Sequence, residues 1–536
     1  MNIKHFLILF FCLLLILACA KRGTPTGGFK DTIPPILINA SPKNKTTFFD
    51  SEKITLTFNE YIKLNDINKQ LIISPPIEAN KFKVEPQSNI AKKIKIEFND
   101  SLSLKSNTTY TFNFGSSIED NNESNILPFF SYTLSTGEII DSLSLKGRVE
   151  DAFDDESEKF VSLHLYPIDS THTDSIIFNS KPLYAVNTLD TLIYNFQNLR
   201  EDNFQIIALK DYNNNYYYDQ GIDKIGFTKD TVYLPGDSIF NFRLFKENYN
   251  FNWDRPEYVN DHHIRFGYFG TPEEDPIKLI TPVPENFKTL INKEPGKDTL
   301  NFWFPEIEAD SLQFSLKTKD SIYNVNVNFY RPKPDSLIIK PVQTRIIELN
   351  DTLKFKSNLP LEKFNENFIK VQNIDSMPVK FDLMINENYD LAKMFFKLEP
   401  NDEYTLSILP NAFQDLWGNT NDTILLVFST RSYDSYGEIK FQLDWKINEQ
   451  AFILELINTN NDVVQRINKR NEINRYSFKY LVPGTYKARI ILDNNANGKW
   501  DSGNYFKKIQ PERVIYLSNE LELRANWELN EVFIVK

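Results

Sequence analysis

Apolar and polar residues alternate in short runs along this chain. Ile54, Leu56 and Phe58 form one such run, Ile94, Ile96 and Phe98 another, and Tyr110, Phe112 and Phe114 a third. A period of two marks strands with one face buried. Turn-forming clusters such as Ser41-Pro42-Lys43-Asn44 and Asn121-Asn122-Glu123-Ser124 separate the runs. No long helical pattern interrupts them, so an antiparallel sandwich is expected here. The same alternation returns at Leu300, Phe302 and Phe304, at Leu312, Phe314 and Leu316, and at Val325, Val327 and Phe329.

One stretch occurs twice. Tyr194 to Asp219 aligns without a gap on Tyr476 to Asp501. Tyr194, Phe196, Leu199, Phe204, Asp211, Asn213, Asn215 and Asp219 match Tyr476, Phe478, Leu481, Tyr486, Asp493, Asn495, Asn497 and Asp501. A shared register of this length marks an internal repeat. Each copy reads as a strand, a turn, a second strand and a polar loop. Pro483-Gly484 signals the turn in the later copy. Glu201-Asp202-Asn203 stands there in the earlier one and is a weaker signal.

A second, more diverged repeat surrounds the first. Tyr110 and Ser135-Thr136 are spaced as Tyr404 and Ser429-Thr430 are. The resulting division is a leader over 1–18, a tether over 19–34, and sandwiches over 35–140, 141–245, 246–340, 341–432 and 433–536. The first and fourth sandwiches are copies of each other, and so are the second and fifth. Serial sandwiches joined by short links should form an extended array.

Residues 31–137 resemble the bacterial Ig-like domain known from S-layer proteins. The likeness is carried by DTIPP at 31–35, SPKNKTTFFDSEKITLTFNEYI, YTFNFGSSIEDNNESN and the closing FSYTLST. In that family the fold is a structural or binding module, and no catalysis follows. The second and fifth sandwiches resemble prealbumin-like or Cna-B-like units through Tyr-x-Phe-x-x-Leu and, in the later copy, Pro483-Gly484-Thr485-Tyr486. The expected fold class is therefore all-β: tandem Ig-like and prealbumin-like β-sandwiches after a lipoprotein signal peptide.

The leader carries that last expectation. Lys4 and His5 precede an apolar run from Phe6 to Ala18, which is too short to span a bilayer and has the length of a signal-peptide core. It ends in Ile16-Leu17-Ala18-Cys19, which resembles a bacterial lipobox. That resemblance implies diacylglyceryl attachment at Cys19, cleavage after Ala18 and acylation of the new amine, an anchor of two or more chains. Cys12 would leave with the leader. The tether, AKRGTPTGGFKDTIP at 20–34, is rich in Gly, Thr, Pro and Lys and reads as flexible. By analogy with lipoprotein sorting, Ala20 implies the outer membrane, and Lys21-Arg22 favours its periplasmic face over the cell surface.

Composition narrows the rest. The 536 residues include 43 Phe and 25 Tyr but only 17 Gly, which suits strands and thin aromatic cores. A formal charge of −12 disfavours nucleic acid as a partner. The two cysteines, Cys12 and Cys19, allow neither a disulfide framework nor a cysteine zinc site. His262 and His263 are adjacent, so on a strand they would point to opposite faces and chelate poorly; they read as loop or strand-edge residues. The chain has no HExxH, GxSxG, Walker A or strand-linked GxGxxG pattern.

Two features retain candidate chemistry. Asp211, Asn213, Asn215 and Asp219, and likewise Asp493, Asn495, Asn497 and Asp501, occupy positions 1, 3, 5 and 9 of a calcium-loop pattern. Gly498 takes the sharp-turn position, where the first copy has Tyr216. The bidentate Glu is missing, with Ile222 or Asn504 in its place, so any calcium would bind weakly, at about 10⁻⁴ to 10⁻³ M. The competing reading is an Asx-rich turn bonded to its own backbone. Trp417 and Trp500 fall in expected loops, where they could stack on sugars or simply pack. The sequence thus points to a non-catalytic lipid-anchored scaffold, with an unidentified envelope protein or glycan as partner. The alternatives are a glycan-binding lipoprotein of a polysaccharide uptake system and a hydrolase.

Overall fold

A computed structural model describes residues 31–536, apart from 88–89, 100–101, 171, 237–238, 248–250, 273, 320, 331–335, 449–450 and 471–473. The chain is all-β. Its sheets pair into sandwiches in the order in which the sequence runs, here called units 1 to 5.

Unit 1 packs a sheet of Leu37–Ser41, Lys53–Leu64, Ala91–Phe98 and Phe82–Glu85 over one of Ile72–Ser74, Thr109–Asn113 and Ser131–Ser135. The alternation explains the layering, because Ile54, Leu56, Phe58, Ile94, Ile96, Phe112 and Leu134 all point inward and are buried. Burial of each such side chain contributes about 1.5–3 kcal/mol. Unit 4 repeats the plan with Ile339–Pro341, Leu353–Ser357, Leu391–Phe395 and Asp382–Ile385 over Ile369–Asn373, Glu403–Ile408 and Ile424–Ser429.

A shared corner shows that the two units are copies. The Tyr110 hydroxyl accepts the Lys105 N–H at 2.9 Å, and the Tyr404 hydroxyl accepts the Glu399 N–H at 2.8 Å. Thr136 Oγ1 donates to Lys105 O at 2.6 Å, as Thr430 Oγ1 does to Glu399 O at 2.5 Å. The spacing of Tyr and Ser-Thr in the sequence is the spacing of this corner.

Units 2 and 5 also match strand for strand. Leu143–Asp151 pairs antiparallel with Ile193–Leu199 and parallel with Phe242–Leu244. Gly437–Trp445 pairs in the same way with Arg475–Leu481 and Glu528–Val535. The facing sheets run Tyr184–Asn187, Ser162–Pro167, Asp202–Lys210, Lys224–Phe227 and Val463–Arg470, Ala451–Asn458, Gly484–Ile491, Val514–Tyr516. The strand-turn-strand read from the repeat is not a hairpin in either copy: Ile193–Leu199 and Asp202–Lys210 lie in facing sheets, as do Arg475–Leu481 and Gly484–Ile491, so the turn carries the chain across the sandwich. Both copies also place a non-glycine residue in the left-handed region two positions after the conserved Phe, Asn198 at φ 58° and Tyr480 at φ 54°. Unit 3 is a further sandwich around Trp253, Phe266, Phe302, Phe304 and Phe314.

The units do not run end to end. Unit 2 sits on unit 1, where Ala185 N–H donates to Ser74 Oγ at 3.1 Å and Asn198 Nδ2 to Thr111 Oγ1 at 2.9 Å. Unit 3 sits on unit 4, with Lys288 Nζ 2.6 Å from Glu362 Oε1 and Trp303 within the unit 4 core. Unit 5 meets unit 4 where Tyr436 OH donates to Glu348 Oε2 at 2.7 Å. It then returns to unit 2, so units 2 to 5 close a circuit. The expected extended array is corrected on this point. The cause is a loop of unit 5, residues 502–510, that lodges in unit 2.

Tyr505 is the centre of that contact and is fully buried. Its N–H donates to Glu247 Oε1 at 2.6 Å and its hydroxyl to Asp174 O at 3.0 Å, while Gln205 Nε2 donates to the hydroxyl at 2.7 Å. Phe227 packs edge-on to the ring at 5.4 Å, and Phe506 stacks on Phe178 at 5.5 Å. Removing a buried aromatic side chain costs about 3–5 kcal/mol. Tyr505→Ala should therefore speed amide hydrogen exchange across 502–510 by at least about a hundredfold, and Tyr505→Phe should fall between it and the parent. Unchanged exchange in Tyr505→Ala would show that the ring does not hold the loop.

Candidate functional site

The two polar loops follow the second strand of each repeat, at Lys210 and Ile491. Both fold alike. Asp211 Oδ1 accepts the N–H of Asn215 at 3.2 Å and its Oδ2 that of Tyr216 at 2.8 Å. Asp493 does the same for Asn497 at 3.0 Å and Gly498 at 2.8 Å. The last aspartate gathers the two asparagines. Asn213 and Asn215 donate Nδ2 to Asp219 Oδ2 at 2.6 and 2.9 Å, and Asn495 and Asn497 to Asp501 Oδ2 at 2.5 and 2.7 Å. All eight residues singled out in the sequence thus come together, four in each loop. The turn position is left-handed in both, Tyr216 at φ 65° and Gly498 at φ 76°, which suits glycine and strains tyrosine.

Each loop also has a carboxylate that the nine-residue pattern does not contain. Asp223 accepts the N–H groups of Tyr212 at 3.1 Å and Asp219 at 2.9 Å. Glu512 accepts those of Asn494 at 2.8 Å and Asp501 at 3.0 Å. The two play one role from different distances along the chain, so no fixed spacing could reveal them. Burial pushes the pKa of Asp211 up, against the hydrogen bonds it accepts, and Asp219 adds repulsion. Asp223 is raised by burial and then by its neighbours Asp211 and Asp219. Burial raises Glu512 too, with repulsion from Asp501 and Asp493. As the side chains stand, no group of three or more His, Cys, Asp or Glu among the described residues is disposed to hold a metal ion.

The loops lie beside the contact between units 2 and 5. Tyr218 OH donates to Glu247 Oε2 at 2.7 Å, and the other oxygen of Glu247 holds Tyr505. Trp500 lies 5.0 Å from Phe153 of unit 2, and its Nε1 donates to Glu512 O at 2.9 Å. Arg489 stands 4.4 Å over the Phe153 ring and bonds Glu455 at 2.7 Å. Trp417 stacks on His262 at 4.7 Å with 16° between the planes. Both indoles are half-buried and packed on aromatic neighbours, not laid open as platforms.

The histidines are structural in their surroundings. His262 lies in a turn and His263 opens the strand His263–Phe269, as expected, but both are buried, and His263 stacks on Trp303 at 3.9 Å while its Nε2 meets Asn301 Oδ1 at 2.8 Å. His164 is fully buried between Ser162 and Tyr166. A cleft of about 1130 Å³ between units 4 and 5 is lined in part by Glu348 and Asp351. Both are engaged: Glu348 by Tyr436 and Arg431, Asp351 by Lys354 and Gln343.

Comparison with known proteins agrees with this picture at the level of one unit. Residues 31–136 match the family profile described as a bacterial Ig-like domain. No curated protein matches the chain. Among solved structures, the Bacillus anthracis TIE protein aligns at 11% identity over 96% of this chain and 76% of that one, with a TM-score of 0.14. The major pilin subunit of Bacillus cereus aligns at 8% identity over 73% and 98%, TM-score 0.15. Domains 1-6 of the surface layer protein SbsC align at 9% identity over 92% and 68%, TM-score 0.16. TM-scores this low carry no inference about arrangement or role.

Burial pushes His164 down to about 3 and His263 to about 4. Between those values and the usual 6.5 the unfolded chain binds protons that the folded chain does not, so stability falls as pH falls through that window. The slope is about 1.4 kcal/mol per pH unit for each histidine. His164→Gln should lose less melting temperature between pH 7 and pH 5 than the parent does, as followed by circular dichroism. Equal losses would contradict the assignment.

Proposed function

We propose that the chain is a non-catalytic scaffold of the cell envelope, moored to the outer membrane on its periplasmic face by lipid on Cys19. The observation that carries this reading is the circuit closed by Tyr505. A protein that folds its fifth sandwich back onto its second is built to hold a shape. Its polar groups support the same reading, since the buried Glu247, His164, His262 and His263 and the half-buried Glu348 and Asp351 are all engaged in contacts within the fold. Cys19 and the leader lie outside the described residues, and the anchor rests on the lipobox resemblance. Among the described residues no helix is long and apolar enough to cross a membrane. Metabolic labelling with an alkyne fatty acid should mark the parent, and Cys19→Ser should lose the label and leave the membrane fraction. Label retained in Cys19→Ser would overturn the anchor.

A second reading attaches to the polar loops, which we propose take Ca²⁺ weakly. The third carboxylate in each, Asp223 or Glu512, favours it, because clustered and partly buried carboxylates repel one another and a dication relieves that repulsion. Rotating the Asn amides exchanges Nδ2 for Oδ1 at the same place and supplies oxygen ligands. Calorimetric titration of the full chain with Ca²⁺ should give heat that falls by about half in Asp493→Ala, if each loop takes one ion with a Kd of about 10⁻⁴ to 10⁻³ M. Equal heats in the two proteins would retire calcium at the second loop.

A further inference from the structure

The two copies of the Ig-like and prealbumin-like pair are joined differently, and the difference exposes matching surfaces. In the first pair, the outer face of the Ile72–Ser74, Thr109–Asn113, Ser131–Ser135 sheet is covered by strands Tyr184–Asn187 and Ile193–Leu199 of unit 2. Ser74 and Thr133 on that face are only 8% and 4% exposed. The joint is polar on both sides, with Asn198 Nδ2 donating to Thr111 Oγ1 at 2.9 Å and to Thr133 Oγ1 at 3.3 Å.

In the second pair the same two surfaces are open. The corner that aligns Tyr110 with Tyr404 places Thr111 on Thr405 and Thr133 on Val427, and these are cross-strand partners in both units. Val427 is 53% exposed and Leu425, in the place of Ser131, is 72% exposed. On unit 5, strands Val463–Arg470 and Arg475–Leu481 stand where Tyr184–Asn187 and Ile193–Leu199 stand on unit 2. There Val463 and Val464 are 45% and 41% exposed, and Tyr480, which replaces Asn198 at the same left-handed position, packs on Tyr433 and Tyr436 and keeps 37% of its surface exposed. Unit 5 instead touches unit 4 through Tyr436 and Glu348 and through Asn350 and Lys479, which leaves the cleft between them open.

The chemistry has changed on both sides together. Where the first joint sets an amide against threonine hydroxyls, the two open surfaces of the second pair carry Val463, Val464 and Tyr480 on unit 5 and Leu425 and Val427 on unit 4. Apolar surface of this kind is buried when a complementary surface reaches it. Within one chain it cannot, because Tyr505 holds unit 5 to unit 2 while Trp303 and the His262–Trp417 stack hold unit 4 to unit 3. The partner must come from outside.

We propose that the outer face of unit 4 around Leu425 and Val427 seats the Val463–Arg470 and Arg475–Leu481 edge of unit 5 from a second copy of the chain. The contact is heterologous, so copies associate head to tail. A few residues near the centre of such a contact carry most of its energy.

Sedimentation velocity of the full mature chain in detergent tests this. The parent should self-associate across micromolar concentrations. Val427→Asp and Val464→Asp should each weaken association at least about tenfold. An equimolar mixture of the two variants should again form dimers, since one intact face then meets one intact edge. Both side chains point to solvent, so melting temperatures should not move. Val427→Thr, which installs the residue of unit 1, gives a milder version should the aspartate disturb the sheet. A parent that stays monomeric, association that survives either aspartate, or a mixture that fails to pair would overturn the proposal. So would a disulfide formed within the monomer of a Val427→Cys, Val464→Cys double variant.

Discussion

Tyr505 is inserted, backbone first, against a buried carboxylate. Glu247 is 2% exposed and takes its hydrogen bonds from Tyr505 N–H, Tyr218 OH and Gln220 Nε2. A buried carboxylate that lost these donors would be left uncompensated, which is among the costlier defects a fold can carry. Unit 2 therefore needs the loop of unit 5 as much as the loop needs its aromatic cage. The ion pairs Lys508–Asp174 at 2.6 Å and Lys487–Asp155 at 3.2 Å, at the more exposed rim, add register rather than much energy. With this contact made, the remaining joints follow the chain.

Duplication gives the architecture its internal controls. The tyrosine corner of units 1 and 4 is retained down to the hydrogen bonds, because it fixes how a strand enters the sandwich. The polar loops of units 2 and 5 keep the same aspartate and asparagine geometry, although tyrosine stands in one where glycine stands in the other. What has diverged is the surface around these parts. The loop after the second aspartate became the Tyr505 latch in unit 5, while its seat combines Phe227, from the matching stretch of unit 2, with Phe245 and Glu247 after the last strand of unit 2.

Much of this could be read from the chain itself. Ile54, Leu56 and Phe58 alternate because their strand has one wet face, and Tyr110 and Tyr404 share a spacing because they share a corner. The four oxygen-bearing residues of each polar loop were visible for the same reason: a local turn fixes a local spacing. The carboxylates Asp223 and Glu512 were not visible, since one role is filled from two different separations. Nor was the return of unit 5 onto unit 2. It depends on Tyr505 meeting Gln205, hundreds of positions away, and an aromatic residue in a loop looks the same whether it packs at home or in another unit. Trp417 and Trp500 illustrate the same point: both lie in loops, and both are packed on another unit.

The ion pairs at the rim of the latch provide the most direct test of a closed circuit. Zero-length carbodiimide coupling, followed by mass spectrometry of the monomer, should join Asp174 to Lys508 and Asp155 to Lys487, and Tyr505→Ala should lose both links. If couplings appeared only between neighbouring units, with none between units 2 and 5, the chain would be a string of separate sandwiches and this account would be wrong.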